Sequence, residues 1–427
     1  MANVFEDMAP EELDRTIVEL ERQADEVRAR HLRLDMARGK PSPEQTALSK
    51  PMLDLIGSTT ELVDGDGVVD NYGSPDGLPS ARALAAEILG VDAENVLVNG
   101  SSSLSLMHAL VTSGFTNGVA GNKPWYQQGK VKWLCPAPGY DRHFGITAHL
   151  GIENVPVPMG EEGPDMDMVQ RLVESDPSVK GIWCVPKYSN PTGVVYSDRV
   201  VRRFAMLKPA APDFRVYWDN AYVVHGFMDE EDPLLNIFDA LEEAGATDLV
   251  YEFGSTAKVT FPGSGIAFVT ASPQDMAEIR KSFQVARVSP EKFSQFAHAR
   301  YLKDLDGVRA HMRRHAAIVR PRFELVESKL SEGLGGLGIA SWTHPRGGYF
   351  VSFEGPEGSA RRIVKLMADL GVKLTSAGAT WPYGRDPKDT NIRIAPTYPS
   401  LEDLGAALDV FVVAVKLVSA KLVREQR

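Results

Sequence analysis

The spacing of apolar residues changes twice along the chain, and each change marks a different kind of structure. From Pro10 to about Leu34, Leu13, Ile17, Leu20, Ala24 and Val27 recur among charged residues, the period of a helix that buries one face. Arg38-Gly39-Lys40-Pro41-Ser42-Pro43 ends it, because proline brings no amide donor and glycine the largest entropic cost. Short, nearly unbroken apolar runs follow: Asn95 to Val98, Val131 to Leu134, Glu153 to Val157, Gly181 to Val185, Arg215 to Asp219, Leu249 to Phe253 and Gly265 to Thr270. Stretches of helical spacing separate them. Parallel strands need such crossovers, and strands covered on both faces lose the alternation of apolar and polar residues. The expectation is an α/β protein with a mostly parallel, seven-stranded sheet and helices on both faces.

Beyond about Ser289 the pattern becomes a long charged helical stretch through Arg313 and Arg314 to Leu330, then a glycine-rich turn. Gly347 to Phe353 and Asn391 to Ile394 read as strands. Ser400 and Asp403 have the spacing of a reciprocal cap, opening a last helix whose apolar stripe includes Leu404, Leu408, Phe411 and Val415. This predicts a smaller α+β domain joined by the N-terminal arm. The expected division is 1–60 for the arm and part of the small domain, 61–300 for a large domain and 301–427 for a small one.

Composition narrows the partners. At 427 residues the chain has room for two or three domains, and its net charge of −11 disfavours a nucleic-acid backbone or an anionic membrane. Cys135 and Cys184, the only cysteines, fit no metal spacing and no disulfide framework and suit a reducing compartment. Glu6, Asp7, Glu11 and Glu12 stand where a signal peptide needs a basic region and an apolar stretch, and no apolar run has the length of a membrane span. A cytoplasmic protein without metal or membrane contact is expected.

Open parallel sheets bind ligands beyond the carboxyl ends of their strands, and the chemically able residues fall there. Gly100-Ser101-Ser102-Ser103 precedes a helical pattern, so it forms either an anion site at a helix N-terminus or a plain serine cap. Tyr140 follows the rigid turn Pro136-Ala137-Pro138-Gly139, from which its ring can stack on a flat heterocycle or simply pack. Asn190-Pro191-Thr192-Gly193, Asp219 with Tyr222, and Lys258 after Ser255-Thr256-Ala257 complete the set. A lysine that loses its proton attacks an aldehyde, and pyridoxal phosphate also needs a carboxylate against its ring nitrogen and donors for its phenolic oxygen. Lys258, Asp219 and the pair Asn190 and Tyr222 match those needs, although each alone is commonly a surface lysine or a turn. Arg393, inside Ile392-Arg393-Ile394, forms either an internal ion pair or a fork for a substrate carboxylate.

With Gly39 and Tyr72 added, this ordered set resembles the fold-type I, class I/II aminotransferases, which depend on pyridoxal 5'-phosphate, over nearly the whole chain. Pro138-Gly139-Tyr140-Asp141-Arg142-His143-Phe144 and Pro290-Glu291-Lys292-Phe293-Ser294-Gln295 resemble its MocR-type branch. That branch includes actinobacterial aspartate aminotransferases and alanine-glyoxylate aminotransferase-like proteins. The resemblance implies that Lys258 holds the cofactor and shuttles a proton, that Asp219 meets the ring nitrogen, and that Asn190 and Tyr222 meet the ring oxygen. It further implies that Tyr140 stacks on the ring and that Gly100, Ser101, Ser102 and Ser255 hold the phosphate. Gly39, Asn190 and Arg393 would bind substrate. Tyr72 would reach the phosphate of a neighbouring subunit, so a homodimer with shared sites is expected. The implied reaction is ping-pong transfer of an amino group to 2-oxoglutarate, with aspartate as expected donor.

One position departs from the family. The arginine that usually follows the lysine to bind phosphate is replaced by Gly265, in Gly263-Ser264-Gly265-Ile266-Ala267. Lys292 is the expected substitute, or else it meets a distal substrate carboxylate from across the dimer; Arg38, Arg142, His143 and Arg385 are further candidates for that carboxylate. Alternatives are another amino donor, alanine or aromatic, another pyridoxal phosphate reaction such as β-elimination, and a MocR-like regulatory domain. Too few residues precede the arm to hold a winged helix, and the acidic balance argues against DNA.

Overall fold

The seven expected apolar runs all become strands of one sheet in the computed structural model, which describes residues 3–427. In chain order the strands are β1 (Val96–Val98), β2 (Lys132–Ala137), β3 (Glu153–Gly160), β4 (Gly163–Pro164), β5 (Val179–Cys184), β6 (Arg215–Asp219), β7 (Val250–Ser255) and β8 (Ala267–Thr270). Across the sheet they lie β1-β8-β7-β6-β5-β2-β3-β4. Only β8 and β4 run against the rest. The sheet therefore has eight strands rather than seven. The addition is the two-residue β4, whose Gly-Pro sequence carries no strand signal.

Both faces are covered. Trp133, Trp183, Tyr217 and Phe253 face one apolar layer, and Leu134, Ile182, Val216 and Trp218 the other. Charges within the sheet survive because they are paired. Lys180 meets Asp213 at 2.7 Å, and Arg215 grips both oxygens of Asp275 at 2.8 and 2.9 Å. Such buried pairs prevent an uncompensated charge more than they add stability. Both cysteines are buried and free, at strand positions.

A further core joins α1 (Pro10–Ala29) to distant helices. In chain order the helices that matter to the site or to this core are α1, α2 (Ser103–Asn117), α3 (Asp141–His149), α4 (Leu305–Leu334) and α5 (Leu401–Gln426). Leu13, Leu20 and Ala24 of α1 share one apolar cluster with Val326 and Leu330 of α4 and Leu408 and Phe411 of α5. A three-stranded antiparallel sheet, with β10 (Val351–Glu354) between β9 (Ser341–Trp342) and β11 (Asn391–Ile394), packs on it. The charged stretch expected as one helix is two, Phe293–Leu302 and α4. Lys303 breaks it with φ +68°, and the Asp304 side chain caps α4 by accepting from the Gly307 amide at 2.8 Å. At α5 only the Ser400 half of the reciprocal cap forms.

The strand expected from Gly347 begins only at Val351. Gly347 and Gly348 instead cross the ring of Tyr188, where a Cβ on Gly347 would fall 2.4 Å from ring carbons. That close passage packs the connection before β10 against the loop carrying Asn190. Among the described residues no helix is long and apolar enough to cross a membrane.

Candidate active site

Asp219 ends β6 on the same face as Tyr217, two residues earlier, as the strand period requires. It is buried, and its Oδ2 lies 2.9 Å from Nε2 of His143 on α3. The imidazole is itself fixed, stacked on Trp183 at 4.7 Å and 15°. Oδ1 of Asp219 is buried with no partner. A carboxylate oxygen in that state is costly unless a donor completes it. His143, expected only as a candidate for a distal carboxylate, therefore holds Asp219. The signal for this role lay in its place three residues after Tyr140 at the start of a helix, which turns it toward the strand ends.

Lys258 lies in the turn directly after β7, the strand beside β6. Its Nζ is 4.9 Å from the centroid of the Tyr222 ring. Among the described residues it forms no ion pair. Tyr222 is buried, and burial, reinforced by the Asp219 charge and opposed by Arg393, raises its phenol well above the usual range, so it remains a proton donor. Tyr140 is likewise raised by burial and feels the Lys258 charge in the opposite sense. Lys258, Tyr222, Tyr140 and Asp219 thus act on one another's charge.

The Gly100 loop has the geometry of an anion cradle. Gly100 has φ +70°, and Ser102 stands at the N-cap of α2 without making a side-chain cap bond. Its hydroxyl and the first amides of α2 remain available, at the positive end of the helix dipole. Ser255 is differently engaged. Its hydroxyl donates to the Ser101 carbonyl at 3.1 Å and accepts from the Ala257 amide at 3.0 Å, tying the cradle to the Lys258 turn. Gly265 is obligatory: a Cβ there would lie 2.7 Å from the backbone N and Cα of Ala257. The chain approaches the Lys258 turn too closely for an arginine.

Arg393 on β11 realises the internal ion pair that its strand position allowed. Its Nη1 donates to Asp141 at 3.1 Å and to Asn190 Oδ1 at 3.3 Å, while Nε is buried without a partner. The guanidinium lies 4.8 Å from the centroid of the Phe350 ring. Gly39 fits beside that ring only because it has no side chain, since a Cβ would sit 2.2 Å from Phe350 Cζ. Asp141 and Phe350 were not foreseen, because nothing in their sequence setting names Arg393 as their partner.

Two expected residues lie elsewhere. Tyr72 is 74% exposed. Lys292 is buried, and its ammonium donates to the carbonyls of Val68, Asn71 and Gly73. It makes no hydrogen bond or ion pair with Lys258, Asp219 or Arg393. Within its own chain Lys292 is therefore engaged by those carbonyls and does not stand in for the missing arginine. Its charge instead holds the segment that presents Tyr72.

Behind Asp219, Glu252 on β7 accepts from the Asn220 amide at 2.9 Å. Burial pushes its carboxyl up from 4.5 to about 8, with the Asn220 bond opposing. Between those values the folded protein keeps a proton that the unfolded chain releases, so stability falls as pH rises. Glu252→Gln should flatten the loss of thermal stability between pH 5 and pH 9, by on the order of a few kcal/mol at the alkaline end. Parallel melting curves for the two proteins across that range would refute this.

Residues 8–427 match the family described as aspartate amino-transferase. The chain belongs to the aspartate aminotransferase family. Its reaction class is therefore amino-group transfer. The chain is 41% identical over 405 residues to the aspartate aminotransferase of Corynebacterium glutamicum, covering 94% of this chain and 93% of that one. A Mycolicibacterium smegmatis protein provisionally called an aminotransferase is 48% identical over 387 residues, 90% of each chain. The solved structure of an aspartate transaminase from C. glutamicum superposes with a TM-score of 0.96 at 40% identity, covering 99% of this chain and 100% of that one. This aminotransferase fold accounts for the large sheet and for the site at its strand ends.

Proposed function

We propose that this aminotransferase binds pyridoxal 5'-phosphate covalently through Lys258 and transfers the amino group of aspartate to 2-oxoglutarate. The observation that carries the reading is the unpartnered, buried Oδ1 of Asp219, whose charge and that of Lys258 both act on Tyr140. When bound, the cofactor supplies the carbonyl that receives the amino group and a ring that draws electrons from the substrate α-carbon. Asp219 would keep the ring nitrogen protonated through Oδ1, with His143 fixing its other oxygen. The Gly100 cradle and the N-terminus of α2 would hold the phosphate, with the helix dipole standing in for the arginine that Gly265 excludes. Tyr140 would lie against the ring. Tyr222 and Asn190 would donate to the ring oxygen. Lys258, once freed by the incoming amine, would take and return the proton at the substrate α-carbon. Arg393 would grip the α-carboxylate.

Asp141, which already occupies Nη1, competes with that grip. Asp141→Asn should therefore lower KM for the amino donor about two- to tenfold with kcat nearly unchanged, since a partly exposed ion pair is worth about a kcal/mol. Steady-state kinetics on both proteins checks this, and a raised KM would show that Asp141 helps to hold the arginine in place.

A dicarboxylic donor is supported by Arg38, Arg142 and Arg385, which stay exposed and form no ion pair among the described residues. One well-formed contact to a distal carboxylate favours aspartate over alanine by about ten- to hundredfold. Aspartate, glutamate, alanine and phenylalanine compared as donors with 2-oxoglutarate test the assignment. A higher kcat/KM for alanine or phenylalanine overturns it.

The reading includes a homodimer. Val63, Val68, Tyr72, Val285, Val288 and Phe293 are all exposed, between 43% and 87%. The two segments bearing them are tied together by Lys292, by Ser289 donating to Gly73 and by Arg287 donating to Pro75. An apolar surface of this kind fits a second copy, which would bring Tyr72 to its neighbour.

A further inference from the structure

Behind Lys258 lies a buried polar network that joins the arm, α4 and the loop before β10. Gln45, His311, His315 and Tyr349 are each no more than 2% exposed. The protons can be placed by inventory. Gln45 Oε1 accepts from the Ser42 amide at 3.0 Å, so its Nε2 is the donor, to His315 Nδ1 and to Tyr349 Oη, each at 3.1 Å. His315 therefore carries its hydrogen on Nε2. Arg314, which can only donate, lies 2.7 Å from His311 Nδ1 and imposes the same tautomer there.

His311 donates from Nε2 to the Val259 carbonyl at 2.8 Å. His315 packs against it, Nε2 to Nε2 at 3.1 Å, with ring centroids 4.8 Å apart. Tyr349 donates to the preceding carbonyl, that of Lys258, at 3.4 Å. Burial holds His315 down at about 3 and lowers His311 as well, so both rings stay neutral. Ser49 and Tyr301 complete the surroundings of His311.

We propose that His311 and Tyr349 are positioning residues for Lys258, clamping the two consecutive carbonyls at 258 and 259 so that the amine is held over the ring of Tyr222, with Gln45 and His315 packed behind them. The proposal rests on Lys258 being the reacting lysine. The clamp adds to the turn's own closure, in which the Val259 and Thr260 amides both donate to the Thr256 carbonyl at 2.9 Å and the Ala257 amide donates to Ser255 Oγ at 3.0 Å. Without the two external donors the carbonyls beside the amine would be less firmly held, and misplacement of a reacting group by about 1 Å costs about a hundredfold in rate.

The test uses the cofactor-loaded enzyme and, separately, the protein stripped of cofactor. His311→Leu removes a donor. His311→Gln returns an amide N–H at the reach of Nε2. Tyr349→Phe removes one hydroxyl with the least disturbance of packing. The clamp predicts that His311→Leu lowers kcat about ten- to hundredfold with KM within about twofold, and that His311→Gln regains most of the loss. In the stripped protein, hydrogen exchange of the amides from Thr256 to Thr260 should quicken in His311→Leu and return toward the parent rate in His311→Gln. Tyr349→Phe should show both effects at lower amplitude, and it alone decides the matter if His311→Leu does not fold. Equal impairment of the leucine and glutamine variants, or faster exchange with unchanged kcat, overturns the proposal. The exchange measurement needs no activity, so an error in the assignment of Lys258 would appear separately, as full turnover in Lys258→Ala.

Discussion

Lys258→Ala should retain the fold and lose both the covalent hold on pyridoxal phosphate and nearly all turnover, a fall in kcat of about 10⁴-fold or more. The size follows from losing a nucleophile and a general base together, since the base alone contributes about 10² to 10⁴. The fold should survive because the side chain is only partly buried and forms no ion pair among the described residues. The clamp on the Lys258 and Val259 carbonyls is made to the backbone and does not need the amine. Absorbance of the purified variant and its rate with aspartate and 2-oxoglutarate check the two halves. Turnover within tenfold of the parent enzyme would remove Lys258 from the chemistry.

Asp219→Asn should bind the cofactor and still lose about 10²- to 10⁴-fold in kcat. The amide is close in size to the carboxylate, so the packing of β6 and the stack of His143 on Trp183 should persist. What disappears is the buried negative charge that would keep a ring nitrogen protonated, and in a low-dielectric setting such a charge has large leverage. His143 should not compensate, since its Nε2 is already directed at the same carboxylate. Cofactor content by absorbance, beside kcat, separates binding from chemistry. Near-normal turnover with full cofactor content would show that ring protonation does not depend on Asp219.

The site was legible where its residues sit at strand ends. Asp219, Lys258, Asn190 and the Gly100 loop could be placed from the sequence because an apolar run ends at or a few residues before each, and the parallel sheet gathers those ends on one edge. What could not be read was pairing between residues far apart in the chain. Arg393 and Asp141 are separated by 252 positions, and no periodicity links them. Lys292 shows the opposite failure. Its charge suggested an anion, but within its own chain it is buried beside three carbonyls. Gly265 was recognised as a missing arginine, and only the 2.7 Å approach of the Ala257 backbone gives the reason. In the fold, the break at Lys303 was hidden because the charged helical spacing continues across it, and β4 because two residues make no pattern.

The central claim is that Lys258 is the residue on which this enzyme carries its cofactor. The direct measurement is borohydride reduction of the loaded protein, followed by proteolysis and mass spectrometry of the lysine-bearing peptides. The account predicts one phosphopyridoxyl group per chain, on Lys258, lost when excess aspartate is added before reduction. A stable adduct on any other lysine, or an adduct on Lys258 that aspartate does not displace, would contradict it.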